Sequence, residues 1–76
     1  MTSKLSSTSK HIAVIGAGYW GKNLVRNFHQ LGVLKTVCDA DIKIRQQLNK
    51  DYPDIHVTNK EKEIFEDQTI NAVVIA

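Results

Sequence analysis

Gly16-Ala17-Gly18-Tyr19-Trp20-Gly21 spells G-x-G-x-x-G, and it is the stretch of this chain whose residue types and spacing most clearly suit a ligand. Glycine at the first position permits a tight turn. At the second it lets the backbone approach a diphosphate with no side chain between, and at the third it lets a helix pack closely on a strand. A helix opening at the end of such a loop offers unpaired N–H donors and a partial positive charge to an anion. Short glycine patterns are common, so the context has to support the reading: a strand before the loop and a helix after it. The second half of the fingerprint is an acidic residue about 20 residues further on, closing the next strand. Asp39 stands there. Its carboxylate suits the hydroxyls of an adenosine ribose and repels a 2′-phosphate. At ~4 Å and an effective dielectric of ~20, two unit charges cost about 4 kcal/mol before screening. Even a third of that disfavours NADP by roughly tenfold. The expected cofactor is therefore NAD, held by Gly16, Gly18, Gly21 and Asp39. Tyr19 and Trp20 occupy the variable positions and are expected beside the dinucleotide. Trp20 reads equally well as the first apolar residue of the helix. Asp39 has a competing reading as a helix cap, a role that Asp41 is placed to take instead.

Other reactive residue types are sparse. Cys38 is the single cysteine, which excludes an internal disulfide and a cysteine-based zinc site. It reads as a small hydrophobe buried in a strand. His11, His29 and His56 are scattered without metal-ligand spacing. No paired carboxylates, Ser/His/Asp set or Cys/His pair can be assembled, so no catalytic residue is assigned. The net charge of +2 is too small to imply nucleic acid or a membrane surface. Charge placement is uneven: all eight carboxylates lie from Asp39 onward, while Lys4, Lys10, Lys22, Arg26 and Lys35 precede it. A basic first half suits an anionic ligand weakly.

The elements that would position these residues follow from the apolar pattern. The β-branched run His11–Ile15 reads as a strand buried on both faces, bounded by Gly16. From Tyr19 the period becomes helical. Trp20, Leu24, Phe28 and Leu31 form the apolar stripe, flanked by Val25, with Lys22, Asn23, Arg26, Asn27 and Gln30 opposite. Gly32 suits the left-handed position after the helix. Residues 33–38 read as a second strand. Asp41 caps a helix over 42–51 with Ile42, Ile44, Leu48 and Tyr52 inward, and Pro53 stops it. Residues 55–57 give a third strand. Thr58 and Glu61 fit a capping box for a short helix that turns Ile64 and Phe65 inward. Residues 71–76 are a fourth strand.

The order βαβαβαβ implies parallel strands joined by helical crossovers. The expected fold is α/β, a Rossmann-type sheet flanked by helices, with strand order 3-2-1-4 and the fourth strand as an edge. With 76 residues, two domains are excluded, and a core of this size buries only about 60% of the unfolded surface. Residues 1–10 are serine-rich and polar and read as a disordered tail; residues 11–76 read as the dinucleotide-binding part. No apolar run reaches the ~18 residues of a membrane span, and a secretory signal pattern is missing. The cytoplasm is the expected location.

With AVIGAGYWGKNLVRNF, VCDAD and INAVVIA in place, residues 11–76 resemble the start of the glucose-fructose oxidoreductase/inositol dehydrogenase (Gfo/Idh/MocA) family. The likeness is strongest to its branch of UDP-N-acetylhexosamine-type 3-dehydrogenases. The resemblance implies NAD-dependent oxidation of a CH–OH group of a sugar or sugar nucleotide, in a homo-oligomer, with neither nucleic acid nor membrane as partner. It carries Gly16, Gly18, Gly21 and Asp39 over as cofactor residues, with Tyr19 and Trp20 beside them. It also implies a Thr-Pro turn after the fourth strand, a Glu-Lys-Pro motif with the catalytic lysine, and a substrate domain, none of which lies in these residues. The expectation is a truncated cofactor domain that is inactive alone. Two alternatives stand beside it: a non-catalytic dinucleotide-binding regulatory module, and an inactive remnant.

Overall fold

β1, Ile12–Ile15, has two consecutive fully buried residues, Ala13 and Val14, one for each face of the sheet. A strand covered on both sides is what a parallel sheet requires of its centre. In the computed structural model, which describes residues 10–76, β1 lies between β2 (Leu34–Cys38) and β4 (Ala72–Ile75), and β2 pairs in turn with β3 (His56–Thr58). Every pairing is parallel, and the order is β3-β2-β1-β4, as the crossover argument requires. Of the expected tail, residues 1–9 lie outside the described residues.

Three helices connect the strands: α1 (Gly21–Gln30), α2 (Ile42–Asp51) and α3 (Glu61–Phe65). Val25 of α1 and Leu48 of α2 pack with Val14, Leu34 and Val37 in one cluster, so these two helices share a face. Ile64 of α3 packs with Ala13 and Cys38 on the opposite face. The architecture is α/β, with a four-stranded parallel sheet between helices.

Helix boundaries follow local chemistry. α1 ends in a Schellman turn: Gly32 takes φ +76°, its N–H donates to the His29 carbonyl at 3.0 Å, and the Val33 N–H donates to the Phe28 carbonyl at 3.1 Å. α2 starts where the Asp41 side chain accepts the Lys43 N–H at 2.8 Å. The expected capping box at Thr58 is not formed. Thr58 belongs to β3, its hydroxyl accepts the Lys60 N–H at 3.0 Å, and Lys60 stands at the cap of α3.

The apolar stripes also need correction. Trp20 and Leu31 are 73% and 70% exposed, so α1 buries Gly21 and Val25 and rests Phe28 on the core. Helical spacing alone admits two neighbouring stripes, and the shape of the glycine turn selects the one through Gly21. Ile42 and Phe65, both expected inward, are exposed. α3 is only five residues long, so one inward side chain, Ile64, exhausts its buried face.

Candidate functional site

The glycine loop runs across the carboxyl ends of the strands. The Gly16 N–H donates to the Cys38 carbonyl of β2 at 2.8 Å, and the Ala76 N–H donates to the Ile15 carbonyl at 2.9 Å. Gly16 has φ +94°, a left-handed conformation that L side chains rarely adopt. A Cβ there would also lie 2.9 Å from the Ala76 carbonyl oxygen. At Gly21 a Cβ would lie 1.9 Å from the Gly16 carbonyl oxygen, so α1 closes directly on the turn. Both glycines are explained by the protein's own packing.

Gly18 is different. A Cβ there would meet nothing within 4 Å, and its φ is not positive. No atom of the described chain requires glycine at this position. The space above it adjoins the start of α1, and that start is electrically bare. Trp20 at the cap has helical dihedrals and makes no capping bond, and the first turn contains no acidic residue. Among the described residues no acceptor takes the N–H groups of Gly18, Tyr19, Trp20 or Gly21. Four consecutive N–H groups without an acceptor, at the positive end of a ten-residue helix and beside a position without a side chain, are an arrangement that can receive an anion.

Tyr19 and Trp20 follow Gly18 in the loop. They are 76% and 73% exposed and meet edge to face, with ring centroids 5.7 Å apart. The Lys22 ammonium lies 5.9 Å from the Tyr19 ring centroid. Trp20 is therefore not a core residue in this structure.

Asp39 follows β2, on the far side of the loop from β4. The structure places it beside the glycine loop, as the spacing implies, but its carboxylate is not idle. Oδ2 accepts the Ala17 N–H at 2.8 Å, and Oδ1 accepts the Asp41 N–H at 2.8 Å. Asp41 does cap α2, yet that leaves Asp39 as a tie between the loop and the β2–α2 turn. A carboxylate has about four acceptor positions, so two remain for a ligand. Arg45 reinforces the turn by donating from Nη1 to the carbonyls of Asp39 and Ala40, both at 2.9 Å. The sequence reading missed this role, because a side chain that reaches back six residues onto carbonyls leaves no spacing signal.

The remaining reactive types serve structure. Burial, then the nearby carboxylates of Glu61, Asp39 and Glu63, push the Cys38 thiol up, so it stays protonated as a buried hydrophobe. His29 pairs with Asp54 at 3.0 Å and His56 with Glu63 at 2.7 Å. Among the described residues no group of three or more His, Cys, Asp or Glu is placed to hold a metal ion. No helix among them is long and apolar enough to cross a membrane. Neither the models of known protein families nor the curated proteins give a match to this chain.

Proposed function

We propose that this chain is the NAD-binding portion of an oxidoreductase that acts on the CH–OH group of a sugar or sugar nucleotide. The observation that carries the dinucleotide reading is Gly18, open to space above an uncapped helix whose first N–H groups lack partners. A diphosphate fits there on both counts. Strand order supports the same place: β1 and β4 are neighbours although β2 follows β1 in sequence, and ligands of open parallel sheets bind where the order reverses. Asp39, at the β2 side of that point, would hold the adenosine ribose with its two remaining acceptor positions. Tyr19 and Trp20 would cover the other side of the diphosphate.

NAD, when bound, supplies a hydride acceptor at its nicotinamide. The residues of this chain bind and orient the cofactor, and none is assigned a catalytic role. The sugar substrate rests on the family resemblance of the glycine loop. The proposed setting is a homo-oligomer in the cytoplasm, where a single unpaired cysteine is at home.

Calorimetric titration of the chain with NAD and NADP tests the reading. The expected result is saturable binding that favours NAD, lost in Gly18→Val. Unchanged binding by that variant would remove the fingerprint, and equal affinity for both dinucleotides would remove the ribose role of Asp39.

A further inference from the structure

α1 and α2 do not close on each other along their length. Between them lies a groove of about 420 Å³, within the range of about 300–1,000 Å³ usual for small-molecule sites. Its floor is apolar and buried, formed by Val25 and Leu48 with Tyr52 at one end. Exposed polar side chains stand along the rims: Lys22 and Arg26 on α1, Gln47 and Asp51 on α2.

The two rims are not electrically equivalent. The α2 rim carries one negative charge, on Asp51, whose two oxygens accept the neutral Gln47 side-chain N–H₂ at 3.0 Å. Lys22 and Arg26 sit one turn apart on α1 and make no ion pair among the described residues. α1 contains no acidic residue to compensate them. Like charges at i, i+4 destabilise a helix slightly, so this placement is locally unfavourable and an anion between the two would relieve it. The chain's own N-terminal stretch is a poor occupant, because residues 2–10 contain Lys4 and Lys10 and no carboxylate.

We propose that the α1–α2 groove is a second ligand site, for a small molecule with an anionic head and a short apolar body. The body lies on Val25, Leu48 and Tyr52. The head, a carboxylate or a phosphate, sits between Lys22 and Arg26. Of residues 16–21 only Ala17 lines the groove, with the Lys22 ammonium reaching to 5.9 Å from the Tyr19 ring, and the site does not use the N–H groups of Gly18 to Gly21. The dinucleotide and this ligand should therefore bind without displacing each other.

Octanoate, octyl phosphate and uncharged octanamide, titrated separately onto the whole 76-residue chain, test the proposal by calorimetry and by amide chemical shifts. Saturable one-to-one binding is expected for at least one of the two anions, with shifts centred on α1 and α2. Octanamide should bind at least about tenfold more weakly, the loss expected of charge-assisted hydrogen bonds. The tighter anion identifies the head. The double variant Lys22→Gln/Arg26→Gln should lose that advantage without a fall in its thermal midpoint, since both side chains are exposed and a like-charge pair is removed. Equal affinity for all three probes, no binding by either anion, shifts confined to residues 16–21, or displacement of the anion by NAD would each overturn the proposal.

Discussion

At Gly21 a methyl group would sit 1.9 Å from the Gly16 carbonyl oxygen, whereas at Gly18 it would touch nothing. The two positions therefore separate folding from binding. Gly21→Ala should destabilise the chain by about 1–3 kcal/mol through overpacking against backbone, lowering the thermal midpoint by roughly 4–8 °C per kcal/mol. Gly18→Ala should shift stability by less than about 0.5 kcal/mol, as surface substitutions do, and still weaken the dinucleotide. Thermal unfolding followed by NAD titration of both variants checks the pair. A stable Gly21→Ala would contradict the close contact of α1 with its turn. Asp39 belongs to both categories at once. Removing its carboxylate leaves the part-buried Ala17 N–H without its acceptor, a cost of about 1–3 kcal/mol. Asp39→Ala should thus lose stability as well as narrow the preference for NAD over NADP. The turn at Gly16 and its close packing against Gly21 were legible because both depend on backbone conformation close in sequence. The tie from Asp39 to Ala17 was not, since it joins residues 22 apart and only the folded sheet brings them together.

Elements were legible to within a residue or two at their ends, and least so in their faces. Asp41 and Gly32 act locally, so α2 begins and α1 ends as their types dictate. Which side chains turn inward depends on how a helix lies on the sheet, and there Trp20, Leu31, Ile42 and Phe65 departed from expectation. Ion pairs between elements were equally hidden. Asp54 joins α1 to the segment before β3 through His29, and joins residue 10 through Lys10 at 3.2 Å. Those two partners, His29 first, lower its carboxyl to about 2. Lys35 of β2 reaches Asp67 after α3 at 2.8 Å, and with Thr69 lowers that carboxyl to about 2 as well. Both folded-state values lie below the unfolded value of about 3.9, so the unfolded chain binds protons first as the pH falls. Their stabilisation is fully present above about pH 4 and is lost as the pH drops through about 2. Acid titration of the unfolding midpoint should show that decline, and Asp54→Asn together with Asp67→Asn should flatten it. All four partners are solvent-accessible, so added salt should shrink the effect. A decline of the same size in the double variant would assign the acid sensitivity elsewhere.

For the whole molecule the topology was the most legible property, because helices between strands leave few ways to build a sheet. The same topology gives the sheet two edges of unlike character. β3 is three residues long, and the His56–Glu63 ion pair lies beside it, so it presents little to a neighbour. β4 is apolar throughout, Ala72-Val73-Val74-Ile75, without the lysine or proline that blunts an edge. Val73 is part-exposed and Ile75 is 75% exposed. One side of β4 pairs with β1, and the N–H and C=O groups of the other meet no strand among the described residues. Such an edge favours pairing with a second chain, since pairing satisfies the backbone groups and covers apolar side chains together. The chain alone should therefore associate through β4 as its concentration rises. Sedimentation velocity over a concentration series should show the mean mass climbing above the 8.6 kDa monomer. Ile75→Lys should return it towards the monomer by placing a charge where the two edges would meet, whereas His56→Lys, on the β3 edge, should leave it unchanged. A chain that sediments as 8.6 kDa at every concentration, or a His56→Lys that dissociates it as well as Ile75→Lys does, would show that β4 is not the associating edge.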